Sequence, residues 1–339
     1  MKDPWDNIPT DFTLEDLDKV QIINEDDPNK IVAVRLGLMC SFYMRDAQSP
    51  ETRLALAQCA DHYQQLVGEH IKSYLDPYAS GESGPKPYPK EGVSFVDYIK
   101  ERDNPENKPF ITNFFGDDDI YVATHYGLDI FASDKDDEVL GKRPAYIHAS
   151  LPFSWLNGKD GQEAFQTLMH DWCKILKPFH GYAGLGAIQS INNVERMRTR
   201  HLVYPLSKRF PGLEIDSPGS IASKMEMGGG PLKIKGVNWL TALDEECLKQ
   251  LGGREAVLGD LDEGFKFYEY DGGVLIQAGP VPQFGDVNQR HIPRYYQELS
   301  RKLKPIRLKY PKGHSLIKSP NRQEKSNTEA SNEWLARFD

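Results

Sequence analysis

The sequence predicts an α+β protein: a mixed, largely antiparallel sheet with helices packed on it. Three observations carry this. Strand-like runs are separated unevenly by helical stripes, not set in a regular βα repeat. The runs "FKFYEY" and "GVLIQAG" flank Asp271-Gly272-Gly273 and read as a hairpin. The run "KIVAVRLGLMCSFYM" (30–44) is long, β-rich and partly alternating, as a strand should be.

Each element follows from local signals. Residues 1–28 are acidic and broken by prolines, and are expected to be a loop-rich segment. The strand at 30–44 leads to Ser49-Pro50-Glu51, a capping residue, a first-turn proline and an early acid. Ala57, Ala60, Tyr63, Val67, Ile71 and Tyr74 then predict one helix ending at Asp76-Pro77. A Pro/Gly/Ser-rich loop covers 79–92, a short helix 94–102, and paired strands 109–139. A strand is expected over 145–156. Asp160 and Glu163 are spaced as a capping box for a helix with Phe165, Leu168, Met169, Trp172, Ile175 and Leu176 on one face. A glycine-studded strand follows at 180–190, then a helix around 192–209. Pro293 opens what reads as the last helix, ending at Lys304-Pro305. One domain is expected over 29–307, and a basic, polar, poorly ordered tail over 308–339.

The chain has 339 residues, 39% hydrophobic and 27% charged, enough for a sizeable core. No run of 18 apolar residues occurs, so no membrane span is expected. The acidic N-terminus lacks the apolar stretch of a secretory signal, which predicts a cytoplasmic protein. The four cysteines, Cys40, Cys59, Cys173 and Cys247, are far apart, as buried thiols in a reducing compartment would be. Charge is uneven. Residues 1–140 hold 28 Asp/Glu against 13 Lys/Arg, and the remainder 22 against 28, for a net charge of -9. An acidic half disfavours direct nucleic-acid binding and favours a basic partner.

The motifs of catalysis are missing. "GLGAIQ" (184–189) has two of the three glycines of a dinucleotide loop and lies inside a strand pattern. The "GGG" at 228–230 lacks the Lys-Ser/Thr of a phosphate loop. His62 and His70 are eight residues apart, too far for a zinc-binding helical pair. Asp117-Asp118-Asp119 lacks the glycine and distal glutamate of a calcium loop. No G-x-S-x-G nucleophile turn occurs. No catalytic, metal-binding or cofactor-binding residue is therefore assigned.

"YPLSKRFPGLEID" (204–216), "KGVNWLTALDEE" (235–246), "LGG" (251–253), "YDGGVLIQAGPVPQFGDVN" (270–288) and "LKPIR" (303–307) together resemble the TsiV-like type VI secretion immunity family, and "KPFHGYAGLGAIQS" (177–190) is similar too. The resemblance runs from about residue 30 to 307. It implies a non-enzymatic immunity protein that binds a toxic effector in the cytosol, with no cofactor. It also implies that the effector is a nuclease of the virus-type replication-repair class. Within these motifs Gly272-Gly273 would form a hairpin turn, Trp239 a core contact and Asn238 a backbone-bonding corner. A nuclease has a basic cleft, so the acidic half gains a target. The expected partner-binding residues are Asp117, Asp118 and Asp119, then Asp134, Asp136, Asp137 and Glu138, with Phe114 and Phe115 as an aromatic anchor unless they belong to the core. The competing expectation is an enzyme or small-molecule-binding protein using the Gly-rich stretches 181–190, 228–238 and 271–285 as a pocket.

Overall fold

The apolar run at 32–44 is the axis of one twelve-stranded sheet. A computed structural model describes residues 13–77, 84–101, 109–134, 143–158, 160–226, 230–321, 323 and 325–339. In chain order the elements are α1 (Leu14–Asp18), β1 (Gln21–Ile23), β2 (Val32–Met44), α2 (Pro50–Val67), β3 (Ser73–Tyr74), β4 (Lys86–Pro87), α3 (Phe95–Glu101), β5 (Phe110–Phe115), β6 (Gly127–Ala132) and β7 (Ala145–Leu151). Then come α4 (Gly161–Leu176), β8 (His180–Gln189), α5 (Asn193–Thr199), α6 (Tyr204–Arg209), β9 (Glu214–Ile215), α7 (Pro218–Met225) and β10 (Leu240–Asp244). The last are α8 (Glu245–Gln250), α9 (Arg254–Leu258), β11 (Phe265–Tyr270), β12 (Gly273–Ala278), α10 (Arg294–Leu303) and α11 (Asn327–Leu335). The strand order is β11-β12-β10-β8-β2-β7-β6-β5-β3-β4, with β1 on β2 and β9 on β8. Among these named strands only the β8–β9 pair is parallel. The fold is the expected α+β arrangement.

The sheet has two unlike faces, because strand side chains alternate. One face is apolar and is covered by α2 and α4. Phe42 of β2 meets Trp172 of α4 edge-on at 6.4 Å, and Tyr63 of α2 meets Trp172 at 6.5 Å and Phe114 of β5 at 6.3 Å. Ser49 caps α2 by accepting from the Thr52 N–H at 3.0 Å. The predicted stripe of α4 is buried at Phe165, Leu168, Met169, Trp172 and Leu176. The glycines of β8 are packing residues: a Cβ at Gly181 would collide with the Phe42 ring, and one at Gly186 with Met39. The β11–β12 hairpin turns at Asp271-Gly272, where Gly272 has φ +84°, the left-handed region that glycine enters freely.

The structure departs from the local signals at five places. The helix begun at Pro50 stops at Val67, and Tyr74 lies in a strand, where Ser73 and Tyr74 pair with Phe115 and Phe114. Asp160 makes no side-chain cap to α4. The single helix expected around 192–209 is two, α5 and α6. The first ends at Thr199, and Pro205 sits in the first turn of the second, where a missing N–H costs nothing. In its described part, residues 13–28, the N-terminal segment packs on the sheet: β1 pairs with β2, and Asp18 accepts from the Phe153 and Ser154 N–H groups at 2.5 and 3.1 Å. Residues 308–339 are not a poorly ordered tail in their described part. Leu308, Tyr310, Ile317, Trp334, Leu335 and Phe338 are buried, and Arg307 grips Asp339 through two contacts of 2.7 Å. Thus α11, not α10, is the last helix.

Both tryptophans expected in the core are there. Trp239 is 1% exposed, stacks on Phe165 at 6.2 Å and donates from Nε1 to the Gly279 carbonyl at 3.1 Å. Trp239→Ala should cost ~3–5 kcal/mol, as large-to-small core changes do. Urea denaturation checks this; a variant with unchanged stability would show that the ring is not part of the core.

Candidate functional site

The second face of the sheet is polar at its centre. Ser41 and Tyr43 of β2, His148 of β7 and Tyr182 of β8 share it, since Ser41 lies opposite both His148 and Tyr182. The segments around β9 and before β10 close over them and bring in Glu214, Asp216, Lys235 and Asn238, all at most 4% exposed. Lys235 Nζ lies 2.7 Å from Glu214 Oε1 and 3.0 Å from Asp216 Oδ1, and donates to the Ile215 carbonyl at 2.6 Å. Asp216 Oδ2 also accepts from the Ser41 hydroxyl and, at 2.8 Å, from the Tyr182 hydroxyl. Glu214 Oε2 accepts from Asn238 Nδ2 at 3.0 Å and from Arg337 Nη2 at 3.1 Å. Two buried carboxylates thus face two buried cations, which keeps each charge paired.

Ser41, His148 and Asp216 are the residue types of a hydrolase triad, and sequence reasoning missed them. Their geometry is different. Ser41 Oγ lies 2.8 Å from His148 Nδ1, and Asp216 Oδ2 lies 3.4 Å from that same nitrogen. A triad needs one ring nitrogen for the serine and the other for the carboxylate. Ser41 is also 0% exposed, with no route for a substrate. The signal was present: "LEID" and "LKIKG" place charges inside otherwise apolar runs. Burial pushes the Cys40 thiol up to about 12 and raises Cys59, Cys173 and Cys247 as well, so none is a ready thiolate.

The acidic residues expected to bind a partner divide into groups. The loop after β5 holds Asp117, Asp118 and Asp119. Asp117 Oδ1 accepts from the Asp119 N–H at 3.2 Å, and Asp119 Oδ1 from the Tyr121 N–H at 2.9 Å. These two half-exposed carboxylates therefore shape their own loop, and Asp118 is left exposed at its tip. Asp134 is half-exposed just beyond the end of β6. Asp136, Asp137 and Glu138 lie outside the described residues. Phe114 and Phe115 are 0% and 5% exposed. Alternation sends Phe114 under α2 and α3, where it meets Phe95 at 5.5 Å, and Phe115 to the opposite face. The pair is core rather than a surface anchor. Among the described residues no helix is long and apolar enough to cross a membrane.

Comparison with known proteins gives the same picture of relatedness. A family model described as type VI immunity for VRR-NUC matches residues 55–338. The solved structure of the Pseudomonas aeruginosa T6SS protein PA0821 is similar, with 25% sequence identity and a TM-score of 0.79 over 94% of this chain and 86% of that one. No curated protein matches.

The buried cluster makes stability pH-dependent. Burial disfavours the Asp216 carboxylate, but Lys235, His148 and Ser41 outweigh it and hold the group well below the usual range. The unfolded value is about 3.9. The stabilisation is therefore complete above about pH 4 and is lost as pH falls below that. Unfolding free energy measured from pH 7 to pH 2 should fall along this acid limb, and more shallowly in Asp216→Asn. Equal slopes would assign the limb to other carboxylates.

Proposed function

The chain belongs to the family of type VI immunity proteins for VRR-NUC, and we propose that it binds one cognate effector in the cytoplasm and neutralises it without catalysis. The effector is a nuclease whose basic, DNA-binding cleft is occluded by the acidic end of the sheet. Asp117, Asp118, Asp119 and Asp134 supply that surface, continued in sequence by Asp136, Asp137 and Glu138.

The observation that carries this reading is the exposed Asp118, held out by a loop that Asp117 and Asp119 fold between them. Such a loop is ordered before binding, so little conformational entropy is lost on association. Carboxylates so presented can stand where a nuclease expects phosphates, and opposite fields accelerate the encounter. The buried cluster supports the non-catalytic side of the proposal, because its polar groups are engaged with one another.

The test is association kinetics with the nuclease domain of the effector encoded beside this gene. Asp118→Lys should leave the melting temperature unchanged, and combined with Asp134→Lys it should slow association by about tenfold at low salt. The difference from wild type should shrink as salt approaches 0.5 M, where screening acts within a few ångströms. Association unaffected by both the reversals and the salt would remove the electrostatic mechanism.

A further inference from the structure

The polar face of the sheet is not fully covered. At β5 and β6 it forms the floor of a groove of about 610 Å³. Ile111 and Phe131 are cross-strand partners on this floor, and Phe131 stacks on Tyr146 of β7 at 5.7 Å. The floor's carboxylate, Asp129, is already engaged: Asn113 Nδ2 donates to it at 3.1 Å and Arg196 Nη2 at 3.3 Å. What the floor offers a visitor is apolar surface. Cavities of ~300–1,000 Å³ hold drug-sized molecules, so this one has room for several side chains.

The rim is apolar as well. Seven large apolar residues are exposed among the described residues; one of them, Met197, is on the groove, and Tyr121 and Val194 adjoin it in the chain. Met197 lines the groove, while Tyr121 and Val194 follow the lining residues Ile120 and Asn193. Ser190 Oγ donates to the Ile120 carbonyl at 3.3 Å, which ties the loop of Tyr121 to the start of α5. Single exposed apolar residues need no explanation, but a cluster at the mouth of a groove marks an interaction site.

Charge says what the visitor carries. The acidic loop 117–119 joins two lining residues, Phe115 and Ile120, which sets Asp118 in the connection beside the groove. Arg143 lies on the lining too, near Lys224 of α7, whose ammonium is held down by burial and by Arg143. The groove is therefore apolar in its floor, negative at one edge and positive at another.

We propose that this groove is the anchor site of the effector: it takes an apolar segment of the toxin that carries a Lys or Arg facing Asp118. The inference rests on the immunity reading above and adds a division of labour to it. The acidic loop governs how fast the complex forms, and the groove governs how long it lasts, as buried apolar anchors usually do.

The experiment uses the full chain and the nuclease domain of the effector encoded beside it. Val194→Gln with Met197→Gln keeps charge and helix propensity, and both sites are exposed, at 75% and 44%, so the melting temperature should not move. Dissociation should become about tenfold faster while association stays within twofold of wild type. Hydrogen exchange should show residues 111–115 and 191–197 protected in the wild-type complex. An unchanged dissociation rate, or no protection there, overturns the groove proposal and leaves the immunity reading standing. Wild-type protein that binds no part of the toxin overturns both. Self-association of the wild type that the double variant abolishes would assign the groove to a second copy of this chain and overturn the proposal as well.

Discussion

The ammonium of Lys235, buried between Glu214 and Asp216, is the contact on which the polar half of this fold depends. It joins the parallel β8–β9 pair to the segment that enters β10, and through Glu214 it reaches Arg337, near the end of the chain. It also sits over the Tyr182 ring at 4.5 Å and the Trp334 ring at 5.3 Å. Removing one member of a buried ion pair costs ~3–5 kcal/mol, because the partner is left charged and dry. Domains are stable by only ~5–15 kcal/mol in all. A cluster of this kind gives little net stabilisation over an apolar core. Its effect is to make wrong arrangements expensive. Asn238 extends the same logic to the corner before β10, where its Oδ1 accepts from the Trp239 N–H at 2.7 Å while its Nδ2 holds Glu214.

The division of the sheet into an apolar and a polar face explains where recognition residues can sit. Under α2 and α4 every position is committed to packing. On the opposite face, covering elements close over the centre but leave β5 and β6 partly open. Loops leaving those strands therefore project from a rigid floor, which limits what binding must order. Asp117 and Asp119 use their carboxylates on the backbone of their own loop, so the loop tip is fixed by residues that sequence alone would have counted as binding groups.

Elements set by local periodicity were legible in the sequence. The strand β2, the helix α4 with Trp172 and the hairpin at Gly272 follow from local spacing, whereas the burial of Trp239 is expected from the motif "KGVNWLTALDEE" that carries the family resemblance. Features set by distant partners were not. The Glu214–Arg337 contact spans 123 residues, and it is one of several long-range ties that hold the described part of the C-terminal segment. The helix α2 ends at Val67 with Gly68 as its C-cap residue, and Tyr74, which the helical stripe includes, pairs with Phe114 in the sheet. Phe114 and Phe115 show the limit most plainly. Composition placed them beside acids and suggested an exposed anchor, yet adjacent strand residues point to opposite faces: Phe114 is buried under α2 and α3, and Phe115 lies almost buried in the lining of the groove. The apolar patch near the acidic loop is instead assembled from residues around 111, 121, 131 and 194–197, which no linear window brings together.

Net charge overstates how acidic the surface is. Many acids of the first 140 residues are used inside the fold. Asp27 pairs with Arg198, Asp76 with Lys86 and Asp129 with Arg196. Asp18 holds the turn after β7, and Asp61 accepts from the N–H groups of Phe95 and Val96 at 2.8 and 3.2 Å to start α3. The field that reaches a partner comes from the acids left outside such contacts, and fields of exposed charges fade within about 8 Å at physiological salt. A handful of screened carboxylates can steer a basic toxin but holds it weakly, since exposed ion pairs give only ~0–1 kcal/mol each. On the proposed immunity role, lasting neutralisation needs slow dissociation. An apolar contact close to the acidic loop would supply it, and the groove over β5 and β6 is the proposed place for that contact.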